Sequence, residues 1–122
     1  MIDHISLGTS DLERARAFYD ALLAPLGFVA VWAIANGVGY GAPGGGDKLA
    51  IKLRPGAHAG GAGLRVVLAA PSAAAVDAAL AAGLAHGGLQ LESSEARGYR
   101  AHLTDPDGHA IQLVFAGVLR GV

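Results

Sequence analysis

His4 is the first side chain that could do chemistry, because a neutral imidazole can take a proton, give one, or ligate a cation. It belongs to Ile2–Gly8, where Ile5 and Leu7 alternate with His4 and Ser6, so on a half-buried strand His4 points away from the apolar face. Arg65 takes the same place in the strand-like run Leu64–Ala69, opposite Leu64, Val66 and Leu68. Lys52 and Arg54 lie on the polar side of Lys48–Arg54, whose other side is Leu49, Ile51 and Leu53. Cations on a solvated strand face need no partner, whereas cations lining a cavity need an anion. In the second case Arg65 would grip a carboxylate or phosphate bidentately, with Lys52 and Arg54 adding charge.

His102 and Gln112 enter through a turn. Asp105-Pro106-Asp107-Gly108 has proline and glycine where a type I turn with a glycine bulge needs them. The hairpin register then sets Asp105 opposite His109, Leu103 opposite Ile111, Ala101 opposite Leu113, and His102 opposite Gln112 on the face away from the core. His4 and His102 are therefore the candidate catalytic residues, with Arg65, Gln112, Lys52 and Arg54 the candidate substrate-binding residues. Ser6 has no histidine–carboxylate relay beside it, and Ser10 reads as a helix cap rather than a nucleophile. Gly44–Gly46 lacks the Lys-Ser/Thr and helix of a phosphate loop and reads as a turn.

The elements that must position these groups recur. Ser10 with Glu13 reads as a capping box for a helix whose stripe is Leu12, Ala15, Phe18/Tyr19, Leu22 and Leu26, closed by Pro25 and Gly27. Strands are expected near Phe28–Ile34, Val38–Ala42 and Lys48–Arg54. After the glycine-rich stretch Pro55–Gly63, the pattern repeats. Leu64–Ala69 is a strand, and Ser72 caps a helix with stripe Val76, Ala79/Leu80 and Leu84. Strands near Leu89–Leu91, Tyr99–Thr104 and Ala110–Phe115 follow, with 92–98 unreadable; Glu92 and Glu95 there could supply a carboxylate over a cavity mouth. His4–Ser10 matches Arg65–Ser72 at an offset of half the chain. The chain is thus one domain of two tandem modules, about 1–55 and about 64–118, joined by a linker at about 56–63. Each module packs its helix on one sheet face and leaves the other to line a shared cavity.

Composition narrows the function classes. A length of 122 residues fits a single domain, and a net charge of −1 with 16% charged residues argues against nucleic acid. The absence of cysteine excludes disulfides, thiolate metal sites and cysteine nucleophiles. No apolar run is long enough to cross a membrane, and the N-terminal stretch is a strand pattern rather than a signal peptide, so a cytoplasmic location is expected.

The ordered set Ile2-Asp3-His4 with Leu7 and Asp11-Leu12, Phe18-Tyr19, Leu26-Gly27-Phe28, Tyr99, Asp105-Pro106-Asp107-Gly108 and Ile111-Gln112 resembles the vicinal oxygen chelate superfamily of glyoxalases, bleomycin-resistance proteins and extradiol dioxygenases. The resemblance spans essentially the whole chain. It implies an α+β fold of two βαβββ modules forming a cup-shaped mixed sheet, a small-molecule ligand, and a homodimer. Metal-dependent members carry a divalent ion on the first strand of each half and on the last strand. Those positions fall here on His4, Arg65 and Gln112. Arginine has no lone pair to offer and glutamine brings no charge, so no metal or other cofactor is expected, and His4, His102 and Gln112 would be its ligands if one bound. A metal-free protein holding a small anionic molecule is the expected function. A metal-dependent lyase, isomerase or dioxygenase is the alternative, and a metal-free enzyme with His4 or His102 as base is a third.

Overall fold

Both halves of the chain build the same unit, and a single turn from the second half holds them together. The computed structural model describes residues 1–92 and 98–116. Its elements run β1 (Ile5–Thr9), α1 (Leu12–Leu23), β2 (Val29–Ile34), β3 (Gly37–Gly41), β4 (Leu49–Leu53), β5 (Val66–Ala69), α2 (Ala73–Ala85), β6 (Leu89–Leu91), β7 (Tyr99–Thr104) and β8 (Ala110–Phe115). They form two four-stranded mixed sheets of order β1-β4-β3-β2 and β5-β8-β7-β6, each with one parallel pair at the start of its module. This is the α+β, twice-βαβββ architecture the sequence leads one to expect. The expected β7–β8 register is also present, with Ala101 opposite Leu113, His102 opposite Gln112 and Leu103 opposite Ile111.

The core lies between the helices and the sheets. Helix α1 buries Ala15, Phe18, Tyr19, Leu22 and Leu23, one stripe of a 3.6-residue period, against Val38, Tyr40, Leu49 and Ile51 of the first sheet. Helix α2 is alanine-rich and nearly apolar all round, so its docking depends on how close it can come. Gly83 provides that approach: a Cβ there would lie 2.7 Å from Leu103 Cδ1 and 3.0 Å from Leu22 Cδ1. The sequence places the end of this helix near Gly83–Gly88, and it ends at Ala85. Gly83 sits inside α2 as the contact that brings the second helix onto the first.

The helix start also differs from expectation. Asp11, not Ser10, caps α1, accepting the Arg14 amide at 3.0 Å. Ser10 is drawn off by Asp107, which takes its backbone amide and its hydroxyl, both at 3.1 Å. Asp107 also accepts Thr9 Oγ1 at 2.6 Å and Arg14 Nη2 at 3.0 Å. Its neighbour Asp105, 3% exposed, accepts the Tyr19 hydroxyl at 2.6 Å and the amides of Asp107 and His109 at 2.9 Å each. His109 donates from Nε2 to the Gly8 carbonyl at 2.8 Å. The turn is closed by Gly108 at φ +92, with its amide on the Asp105 carbonyl at 2.9 Å, so it has the glycine-bulge geometry.

Burial pushes the Asp107 carboxyl upward, but the donors from Thr9 and Ser10 and the Arg14 charge outweigh it and hold the group below its ordinary 3.8. A folded-state value below the unfolded one stabilises the protein fully above the unfolded value, and that contribution is lost as pH falls through the depressed one. Asp107→Ala should therefore lower stability by about 2 kcal/mol at neutral pH. The deficit should shrink once the pH drops below the ordinary carboxylate range, as read from urea melts of both proteins at pH 7 and pH 3.

Candidate functional site on the open sheet faces

Side chains facing away from the helices fall into matching rows in the two sheets. In the first sheet the register aligns Ser6, Ala50, Gly39 and Trp32. In the second it aligns Val67, Gln112, His102 and Leu91. The first row is built of small residues for a reason. Strand β3 alternates glycine with Val38 and Tyr40, which face the core, and the Trp32 indole lies flat on the glycine side. A Cβ on Gly39 would fall within the indole itself, and one on Gly37 would come to 3.3 Å from its Cζ3. A bulge between Ala30 and Trp32 aims the indole across the strand.

The second row is polar at its centre. Gln112 is 1% exposed, and its Nε2 has no hydrogen-bond partner among the described residues; the same is true of the buried Nε2 of His102, its neighbour across the β7–β8 pair. Two adjacent side-chain nitrogens left without partners cost free energy that an ordinary core would not tolerate. A cavity of about 350 Å³ meets this row, lined by Leu64, Arg65, Leu91, His102 and Ala110. On the other side of His102 opens a larger groove of about 700 Å³, bordered by Asp77, Glu92, Tyr99 and Arg100. Tyr99 donates to Asp77 at 2.7 Å, which raises the phenol's pKa. Arg65 lines the smaller cavity with His102, and Arg100 lines the larger groove, whose border also carries the carboxylates of Asp77 and Glu92.

The structure distributes the candidate residues among three places. His102, Gln112 and Arg65 come together as above. Lys52 stands in the adjoining row of the first sheet, level with Gly8 and Gly37, and Arg54 is exposed with Nη1 on the Leu53 carbonyl at 2.9 Å. His4 is exposed ahead of β1, where Nδ1 meets Asp3 Oδ2 at 2.7 Å and pulls the Asp3 carboxyl down. Asp3, His4 and Asp47 offer ligand atoms within 4.8 Å of one another, the one such group among the described residues. Of the two glutamates considered for the cavity mouth, Glu92 borders the larger groove and Glu95 lies outside the described residues. Sequence reasoning missed Leu91, Arg100 and the seat of Trp32. The Gly-X-Gly-X-Gly spacing of β3 was the available signal for the last.

A divalent ion does not fit the positions His4, Arg65 and Gln112. Arg65 is a permanent cation, and Gln112 turns a donor nitrogen, not a lone pair, toward the unpartnered side.

Comparison with known proteins bears on the family. The model of the Glyoxalase/Bleomycin resistance protein/Dioxygenase superfamily matches residues 1–113. A glyoxalase/bleomycin resistance protein from Albidiferax ferrireducens T118 is 36% identical, with TM-score 0.78 over 92% of this chain and 95% of that one. A glyoxalase-related enzyme from Fulvimarina pelagi superposes with TM-score 0.74 at 23% identity, covering 94% of this chain and 87% of its own. The antibiotic binding protein TnmS3 from Streptomyces sp. CB03234 does so with TM-score 0.59 at 22% identity, covering 96% of each. No curated protein matches in sequence.

The unpartnered nitrogens make a prediction that separates a binding role from a structural one. Gln112→Leu keeps the volume and removes the buried amide, so thermal unfolding should show a protein more stable by about 1 kcal/mol. A structural glutamine would lose stability on the same change. Gly39→Ala should displace the indole and cost about 1–3 kcal/mol, with a red shift in the emission of Trp32, the single tryptophan.

Proposed function

Because the chain belongs to the Glyoxalase/Bleomycin resistance protein/Dioxygenase superfamily, we propose that it binds a small organic molecule on the open face of its second sheet, through an oxygen acceptor held by His102 and Gln112. The carrying observation is the pair of buried, unpartnered Nε2 atoms on adjacent strands. The Gln112 amide N–H, and the His102 Nε2–H of the tautomer protonated there, call for a carbonyl, carboxylate or phosphate oxygen, and a ligand that supplies it recovers the cost of their burial. Arg65, which shares the cavity with His102, favours a ligand with negative charge near that oxygen, while Leu64 and Leu91 in the same lining accept an apolar body. The misfit of Arg65 and Gln112 to a metal makes this a metal-free site, and His4 stands apart from it. TnmS3, an antibiotic binding protein, shares this fold and supports a reading in which the chain retains a small ligand.

The test is a thermal-shift screen of aliphatic and aromatic carboxylates, phosphate esters and their neutral amides and alcohols, alongside elemental analysis of the purified protein. Oxyanion-bearing compounds should raise the melting temperature and their neutral counterparts should not. Arg65→Ala and Gln112→Leu should each weaken binding by about tenfold or more, corresponding to ~1.4 kcal/mol. Stabilisation by neutral compounds alone, or a stoichiometric divalent ion lost on His102→Ala, would overturn the reading.

A further inference from the structure

A second cavity, of about 250 Å³, lies in the seam between the two modules and shares only Val67 with the row above. Among the described residues β1 pairs only with β4 and β5 only with β8, so each is an edge strand of its own sheet. The cavity is lined by Ile5 and Leu49 from the first sheet, Leu23 and Phe28 from the end of α1 and the chain after it, and the consecutive residues Val66–Ala69 of β5. Lining by four successive residues means that the cavity meets the backbone edge of β5, not only one of its faces. Its wall on the first module includes the ring of Tyr40, whose hydroxyl is turned away to Asp20 at 2.7 Å.

We infer that this seam cavity is a binding site for a small, uncharged aromatic molecule of roughly benzene-to-indole size. An apolar cavity of ~150 Å³ already takes up benzene, so the seam has room for a somewhat larger ring. The lining offers carbon and two aromatic rings, and the single ionic group that reaches it is Lys48. The Lys48 ammonium makes no ion pair among the described residues, and on its own it would invite an anion. It does not stand alone, however. Asp3 lies close enough to feel its charge, and Asp47 is grouped with Asp3 and His4. Two carboxylates against one ammonium leave the mouth without an attraction for an organic anion. An organic cation would have to leave those carboxylates to bury its charge against leucine, valine and phenylalanine. Neutral rings pay neither cost.

Occupancy has a mechanical consequence. Both modules contribute to the wall, so a ligand that binds only the folded protein ties the modules together and stabilises by mass action. It also touches Val67, the register partner of Gln112, and so reaches the strand on which the first site is built.

The experiment is a methyl-resolved NMR titration of the full chain with indole, benzoate and benzylamine, paired with Ile5→Trp and Leu68→Phe, which fill the seam from either side. Indole should give saturable shifts at the methyls of Ile5, Leu23, Leu49 and Leu68. Benzoate and benzylamine should bind about tenfold more weakly or not at all, as a buried unpaired charge requires. Either filled variant that keeps its cooperative melt should lose the indole response, and Lys48→Ala should keep it. The inference fails if the seam methyls do not saturate with indole, if the shifts fall on Leu89 and Leu91 of the open face instead, or if benzoate binds as tightly as indole and Lys48→Ala abolishes it. Failure of the proposed ligand at His102 and Gln112 would leave this outcome unaffected, because none of the seam methyls belongs to that row.

Discussion

Everything in this molecule depends on two carboxylates in one turn. Asp105 and Asp107 are adjacent in the β7–β8 hairpin yet spend their hydrogen bonds on the first module, at Tyr19, Thr9, Ser10 and Arg14. Buried carboxylates are tolerable only when donors surround them, and here the donors come from 86 to 98 residues away in sequence. The cooperation runs both ways. The turn cannot bury its charge without α1, and the start of α1 gives up Ser10 to the turn and takes Asp11 as its cap.

The two modules are alike in backbone and unlike in what they carry. Equivalent rows on the open faces hold Ser6, Ala50, Gly39 and Trp32 in one sheet and Val67, Gln112, His102 and Leu91 in the other. One row has been reduced to small residues under a single large aromatic ring; the other concentrates buried polarity that nothing in the described protein satisfies. Duplicated architecture thus supplies the frame, and the division of labour lies in side chains at corresponding register positions.

Periodicity carried most of the fold. The alternation in Lys48–Arg54, the helical stripe from Leu12 to Leu26 and the Ser72 cap all describe local preferences that the structure keeps. The Asp-Pro-Asp-Gly turn even fixed which residues face one another, so the His102–Gln112 pair was readable before any coordinates. Long-range competition is what local pattern could not show. Ser10 looked like a cap because nothing nearby revealed that Asp107 would claim it, and the packing role of Gly83 was hidden because Leu22 and Leu103 are remote in sequence. For the site, residue type argued that Arg65 cannot ligate a metal, but strand parity alone could not tell that His4 would stand beside Asp3 and Asp47, apart from the cavity that Arg65 and His102 share.

The clasp has a direction. The second module supplies the carboxylates and the first supplies the hydroxyls and the guanidinium, whereas the matching turn of the first module, residues 42–48, has a single acidic side chain, Asp47, which is grouped with Asp3 and His4 of its own module. The halves are therefore a plug and a socket rather than interchangeable copies. A chain opened within the 55–63 stretch, which contains no helix or strand, would present two fragments whose recognition is already specified. Reassembly of such a split protein would be heterotypic: second half onto first, and neither half onto itself by the same contacts.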